Sequence, residues 1–167
     1  MIKRYFVTKD NTISNAFEPN LSTRAVSASM GQSDILEVFS IYGQVSSSAG
    51  FSAEEARVLI EFDLSGIQAD IASGIIPSNA KYYLRLFNAE HGSTLPREFD
   101  IEVHSVESAW QEGLGLDMET YKDLSSGFGS NWTVRSGSTD WLSAGGDVHA
   151  NTSSVQSFPI GTEDLNV

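Results

Sequence analysis

The stretch Ala56-Arg57-Val58-Leu59-Ile60-Glu61-Phe62-Asp63-Leu64 decides the fold class of this chain of 167 residues. Ala56, Val58, Ile60, Phe62 and Leu64 fall on one face of a strand, and Arg57, Glu61 and Asp63 fall on the other with Leu59. A strand of that pattern needs neighbours, and the flanking sequence offers several. Residues 35–42, Ile-Leu-Glu-Val-Phe-Ser-Ile-Tyr, are apolar at both parities, which suits a strand covered on both sides. Residues 81–87 place Tyr82, Leu84 and Leu86 against Tyr83, Arg85 and Phe87, with Arg85 set to pair with Glu61 across neighbouring strands for ~0.5 kcal/mol. Residues 99–106 put Phe99, Ile101 and Val103 inward and Asp100, Glu102 and His104 outward. Residues 2–7, 155–158 and 165–167 are further strand candidates, and the last leaves an unpaired strand at the end of the chain.

Clusters of turn residues separate these runs. Lys9-Asp10-Asn11 reads as a turn and residues 43–51 as a Ser/Gly-rich loop. One short helical stretch is expected over residues 68–73, stopped by Ile76-Pro77 because the residue before a proline is pushed out of the helical region. No alternation of strands and helices occurs, so the expected class is all-β, a jelly-roll-like antiparallel β-sandwich with long loops. Residues 12–32 are polar, small and weakly periodic, with Pro19 among them. The expected organisation is an N-terminal arm over residues 1–32 and a sandwich over residues 33–167, incomplete at its C-terminal edge.

Charge and composition exclude several functions. The chain carries 22 acidic and 10 basic side chains, a net charge of -12, with no Cys. A folded chain of this size exposes roughly 8,000 Å², and an acidic surface of that extent repels phosphate backbones and anionic lipid, so neither a nucleic acid nor a membrane is an expected partner. Without Cys there is no disulfide, thiol catalysis or Cys-ligated zinc. No segment is long and apolar enough to span a bilayer, and Met1-Ile2-Lys3-Arg4-Tyr5 is not followed by the apolar run of a secretory signal. The sequons at Asn20, Asn131 and Asn151 therefore read as chance matches in a Ser/Thr-rich chain. The charge is unevenly spread, since the first 32 residues hold Lys3, Arg4, Lys9 and Arg24 against Asp10 and Glu18.

Three motifs carry a resemblance. They are Arg57-Val58-Leu59-Ile60-Glu61-Phe62-Asp63-Leu64-Ser65, then Ile76-Pro77 with Ala80-Lys81-Tyr82-Tyr83-Leu84-Arg85-Leu86, then Ala109-Trp110-Gln111-Glu112, followed by Trp132, Trp141 and Gly145-Gly146-Asp147. Over roughly residues 34–164 the chain resembles the DNRLRE (disaggregatase-related) β-sandwich family, with its F-D-L-S strand the most specific element. It departs from the family in lacking the short helix and closing strands that normally follow. The polar N-terminal segment with residues 34–44 looks like structural proteins of tailed bacteriophages, particularly marine ones. The resemblance implies a sandwich used for adhesion or assembly on a displayed surface.

The candidate chemistry is sparse. His91, His104 and His149 show no metal-ligand spacing and read as surface residues. Glu112, Asp117, Glu119 and Asp123 cluster in the loop after Trp110, where a solvated acidic loop is the simpler reading than the rigid carboxylate pair of a glycosidase. With Asp140 and Asp147 they offer oxygen ligands to Ca²⁺ as a loop staple, although no EF-hand spacing is present. No nucleophile-elbow, P-loop or dinucleotide fingerprint occurs, and Gly127-Phe128-Gly129-Ser130 is turn chemistry. Trp110 reads as core; Trp132 and Trp141, flanked by Gly, Ser and Asp, suit either core or a sugar-stacking platform.

The resulting expectation is a non-enzymatic virion structural protein without a cofactor, docking on capsid, neck or tail and associating with other virion proteins and with itself. Strand addition and apolar contacts through Ile13, Phe17, Leu21, Phe39, Ile41, Leu165 and Val167 would supply the docking. The alternative is a carbohydrate-binding module that uses Trp132 and Trp141 against a glycan.

Overall fold

The computed structural model describes residues 2–87, 89, 98–116, 129–148 and 156–161. Its elements are strands β1 (Val7–Ser14), β2 (Phe39–Ser47) and β3 (Gly50–Phe62), helix α1 (Leu64–Ala72), and strands β4 (Glu98–Val103), β5 (Val134–Ser136), β6 (Thr139–Asp140) and β7 (Gln156–Gly161). Among the described residues the architecture is therefore mostly β, with one short helix. Every strand pair is antiparallel: a three-stranded sheet ordered β1-β3-β2 and the two-stranded pairs β4-β7 and β5-β6. The chain divides into two units, Met1–Ala69 with Ser108–Asp147, and Asp70–Glu107 with Val148–Val167.

In the first unit, β3 is the central strand and both its faces are used. Glu54, Ala56 and Leu59 are buried, while Val58, Ile60 and Phe62 are half-buried. The expected one-sided alternation is thus softened, because a central strand has a second face that other chain segments also cover. β2 and β3 form a hairpin around Ser48 and Ala49, with Ser47 opposite Gly50. Gly50 takes φ 113 and Gly43 takes φ 80, left-handed conformations that cost glycine little. The expected loop over residues 43–51 is instead the end of this hairpin, irregular where the register slips between Tyr42 and Ser46. There Val45 N–H donates to the Ser52 hydroxyl at 2.9 Å instead of entering the ladder.

The principal correction concerns the N-terminal segment. Lys9, Asp10 and Asn11 lie inside β1, which pairs with β3 from Val7 opposite Phe62 to Ser14 opposite Ala56. Asn11, Thr12, Ile13 and Ser14 are all buried, as are Ala16, Ala25, Ala28 and Met30. Residues 11–14, 16, 25 and 28–30 accordingly pack into the first unit, while residues 19–23 lie exposed on a turn between them, so the segment is not an arm extended away from the fold. Ile13 is fully buried and fills the chain's own interior, which stabilises by roughly 1.5–3 kcal/mol. The physical reason is hydrogen bonding, since polar side chains enter a core when each finds a partner. The Asn11 side-chain amide donates to both the Ser130 carbonyl and the Ser130 hydroxyl at 2.8 Å, and its oxygen accepts Met30 N–H at 2.7 Å.

Glycines let the backbones close around that amide. A side chain on Gly113 would strike the Ser29 hydroxyl and sit 3.3 Å from the Asn11 Oδ1, while one on Gly31 or Gly129 would strike the Gly113 backbone. Gln32 N–H donates to the Gly115 carbonyl at 3.0 Å and Ser130 N–H to the Gln111 carbonyl at 2.7 Å, so three distant segments meet on β1.

α1 begins at the Asp63-Leu64-Ser65 motif. Asp63 accepts the Ser65 amide at 2.9 Å together with its hydroxyl, and these bonds hold its carboxyl below the usual carboxylate range. Gly74 at φ 74 ends the turn that follows the helix, with Gly74 N–H on the Ile71 carbonyl and Ile76 N–H on the Asp70 carbonyl. The helix is longer at its start than residues 68–73, because the cap lies in the motif that the strand pattern also claims.

In the second unit β4 pairs with β7, with Ile101 opposite Phe158 and Val103 opposite Gln156. Residues 81–87 form no strand, against expectation: Tyr82, Tyr83, Leu84, Leu86 and Phe87 are exposed, and Arg85 lies over the Phe87 ring at 4.7 Å. Alternation alone does not make a strand without a hydrogen-bonded neighbour. Glu61 has Lys9 as its ion-pair partner, at 2.8 Å.

The glycine packing gives a direct prediction. Gly113→Ala should lower stability by about 1–3 kcal/mol or more through overpacking, whereas Gly66→Ala in α1, whose added carbon meets nothing closer than Asp63 Oδ2 at 4.0 Å, should raise it by about 0.5–1 kcal/mol. Urea unfolding of the two variants beside the parent measures both signs.

Candidate functional site

The tryptophans form an internal clasp in the first unit. Trp110, Trp132 and Trp141 are 7%, 9% and 5% exposed. Lys9 lies over the Trp110 ring at 4.7 Å and donates to the Trp110 carbonyl at 3.0 Å, while its charge meets Glu61. The Arg57 guanidinium sits 5.0 Å from the Trp132 ring and donates to the Gly145 carbonyl at 2.9 Å. On Gly145 a side chain would come within 2.8 Å of the Trp132 ring, so the glycine backbone serves as the surface on which the indole rests. Trp141 Nε1 donates to the Asn131 carbonyl at 2.8 Å, and the Asn131 side chain accepts Thr133 and Val134 amides to shape the β5-β6 hairpin. A sugar-stacking platform needs an open ring face, and neither Trp132 nor Trp141 provides one.

Two carboxyls are tuned in opposite directions. Burial pushes the Asp10 carboxyl up, and the neighbouring Glu112 charge adds to this; Glu112 itself accepts the Asp10 amide at 2.9 Å. Burial likewise works against the Asp147 carboxylate, but the Ser108 hydroxyl at 2.6 Å, the Ser143 and Leu142 amides and the Arg135 charge together hold it below the usual range. Asp147 is thus the knot that ties the Gly145-Gly146-Asp147 turn to Ser108. Of the loop acids, Asp117, Glu119 and Asp123 lie outside the described residues, as do His91, His149, Gly127 and Phe128. Among the described residues no group of three or more His, Asp or Glu side chains is arranged to hold a metal ion. His104 faces Glu102 at 3.2 Å.

The residues expected to dock on partners are dispersed. Ile13 is interior; Phe17 is half-buried with Arg24 over its ring at 4.4 Å; Leu21 is 48% exposed on a turn, at φ 54. Phe39 and Ile41 are half-buried on β2. Leu165 and Val167 lie outside the described residues, and so does Asn151.

The two edges of the three-stranded sheet differ. Along β1 the edge is sealed: Asp10 N–H goes to Glu112, Ile13 bridges to Ser29, and the Asn11 amide holds the Ser130 and Met30 backbones beside it. No described strand pairs with the outer edge of β2. β2 and the first turns of β3 also lack charge, since residues 38–53 contain no Asp, Glu, Lys, Arg or His. Tyr42 and Phe51 are 73% and 63% exposed on this hairpin, their ring centroids 5.7 Å apart. Sequence reasoning placed Phe39 and Ile41 here but missed Tyr42 and Phe51. The signal that finds them is the long uncharged run in an otherwise acidic chain.

No protein-family model, curated protein or solved structure matches this chain.

The carboxyls yield opposed pH signatures. Asp147, held low in the fold, contributes stability above the ordinary aspartate pKa of 3.8 that is lost as pH falls through its lower folded value. Asp147→Ala should therefore cost about 1.5–3 kcal/mol at pH 7, with the deficit narrowing below pH 4. Asp10, held high, stabilises the fold in acid and loses that contribution as pH rises through its folded value. Asp10→Asn should accordingly raise the melting temperature at pH 7 and leave it unchanged near pH 3; thermal unfolding at the two pH values checks both.

Proposed function

We propose that this chain is a non-enzymatic structural protein of a tailed-phage virion, whose antiparallel sheets belong to a jelly-roll-like β-sandwich and which docks through a strand edge. The observation that carries the reading is the uncharged edge of β2, with which no strand pairs among the described residues, opposite a β1 edge that the chain has closed for itself. A long exposed strand edge without charge is a liability for a free-standing protein, and strand addition by a partner removes it. The sequence resemblance to the DNRLRE family and to tailed-phage structural proteins supports the surface-assembly setting. The reading does not use residues 1–32 as an arm, because Ile13 and its neighbours are spent on the chain's own core.

Burial of Trp132 and Trp141 gives the glycan alternative no observation in its favour. Of the four loop acids that a glycosidase reading would draw on, Glu112 lies among the described residues, and it accepts the Asp10 amide.

In particles purified from infected cells, the chain should be present at a fixed copy number per particle by quantitative mass spectrometry, and antibody against it should label intact particles. Recovery of the chain only in the particle-free soluble fraction would overturn the reading.

A further inference from the structure

We propose that the outer face of the β2-β3 hairpin, where Tyr42 and Phe51 stand side by side, binds a neutral oligosaccharide. The site uses the face of the hairpin and not the border of β2, so it stands apart from edge docking.

Register places the parts of the site. Ser46 lies opposite Phe51, Tyr42 opposite Ala53 and Ser40 opposite Glu55, and alternation along β3 continues this face to Arg57. Ser40, Tyr42, Ser46, Phe51 and Ala53 are all exposed. The two rings lie together at a tilt, centroids 5.7 Å and planes 57° apart. A β-carbon on Gly43 would sit 3.8 Å from the Phe51 ring, so that ring packs on the glycine backbone. The register slip between Tyr42 and Ser46 thus sets the rings before any ligand arrives, which lowers the cost of ordering them. At the other end of the face Arg57 pairs with Glu55 at 2.8 Å, both partly exposed, and is anchored on the Trp132 ring and the Gly145 carbonyl. From Phe51 to Arg57 the strand covers about 20 Å, the length of several linked sugar rings.

Chemistry selects the ligand. A pyranose presents C–H faces that lie on aromatic rings and hydroxyls that both donate and accept, and it carries no charge. The face answers each point. Two rings are exposed, and the hydroxyls of Ser40 and Ser46 and the Gln44 amide sit in a run, residues 38–53, without Asp, Glu, Lys, Arg or His. Beyond that run the Glu55 carboxylate and the Arg57 guanidinium, which hold one another in place, offer charge-assisted hydrogen bonds to hydroxyls. Other ligands fit less well. The bases of a single-stranded nucleic acid stack on such rings, but its phosphates meet a net charge of -12. A cationic peptide is drawn to the acids outside the neutral run. An apolar protein face needs an apolar surround, whereas these rings are bordered by Ser40, Gly43, Gln44, Ser46 and Ala53. Carbohydrate contact is thereby carried by the exposed Tyr42 and Phe51 in place of the buried Trp132 and Trp141.

Isothermal titration calorimetry of the full chain tests this with cellotetraose, maltotetraose, mannotetraose, chitotetraose and lacto-N-neotetraose, each at up to about 5 mM, beside the anionic tetramer of galacturonate. At least one neutral probe should bind, and tetragalacturonate should bind about 10-fold more weakly than that probe or not at all. Tyr42→Ala and Phe51→Ala should each weaken the neutral probe by about 10-fold, while Tyr42→Phe, which keeps the ring, should stay within about threefold of the parent. Both rings are exposed, so far-UV circular dichroism of the variants should match the parent. In the 15N-labelled parent, which needs no variant to fold, the bound probe should move the backbone amide shifts of residues 40–57. Absence of binding by all five neutral probes would overturn the proposal. So would tetragalacturonate binding as tightly as the neutral probe, binding untouched by both alanine variants, or amide shifts that move only outside the hairpin.

Discussion

Everything in the first unit depends on the burial of one primary amide. Asn11 has no contact with water, and a buried amide left without partners costs about 1–3 kcal/mol for each unmet group. Its donors are met by Ser130 and its acceptor by the Met30 backbone, residues 119 and 19 positions away in sequence. Those bonds form only if the loops carrying Gly31, Gly113 and Gly129 come to backbone contact, which is why a β-carbon is excluded there. Register follows from the same constraint. A one-residue slip of β1 against β3 would turn Asn11 to the opposite face and bring Thr12, whose hydroxyl now accepts Glu37 N–H at 3.2 Å, onto the side of Ser130.

The tryptophan clasp is a second consequence of the same economy of partners. Arg57 and Lys9 each stack on an indole and each reach a backbone carbonyl and a carboxylate, so these two cations of an acid-rich chain are committed to internal bonds. Ion pairs of that exposure are individually weak, but here the stem and charge together cover aromatic surface. The W…W…G-G-D pattern is thereby a packing motif: two buried rings, the glycine on which Trp132 rests, and the aspartate that fixes the turn.

Much of the β character was legible from apolar patterning alone, as in β3 and β4, and the later half of α1 was legible as a helical stretch stopped before Pro77. Three elements were not, and for separate reasons. β1 was hidden because Asn11, Thr12 and Ser14 are polar side chains whose burial is licensed by partners remote in sequence. The tip of the β2-β3 hairpin was hidden because Ser and Gly are turn residues in any local reading, although Ser47 and Gly50 here face each other across a ladder. Residues 81–87 erred in the other direction, since their alternation has no hydrogen-bonded neighbour among the described residues. The strand that carries Phe39 and Ile41 was visible locally because its apolar residues fall at both parities, whereas the interior place of Ile13 was not, because its burial depends on the Asn11 network beside it.

The sealed β1 edge has a bearing on how far any association can go. A sheet with two open borders adds units without limit, as fibrils do, because every addition presents the border it consumed. Here the β1 border is closed by loops of the same chain, so growth through both borders of this sheet is blocked. The loops packed beside Asn11 thus act as a terminator for the β1 side of the sheet: no further strand can be added at the positions they already occupy.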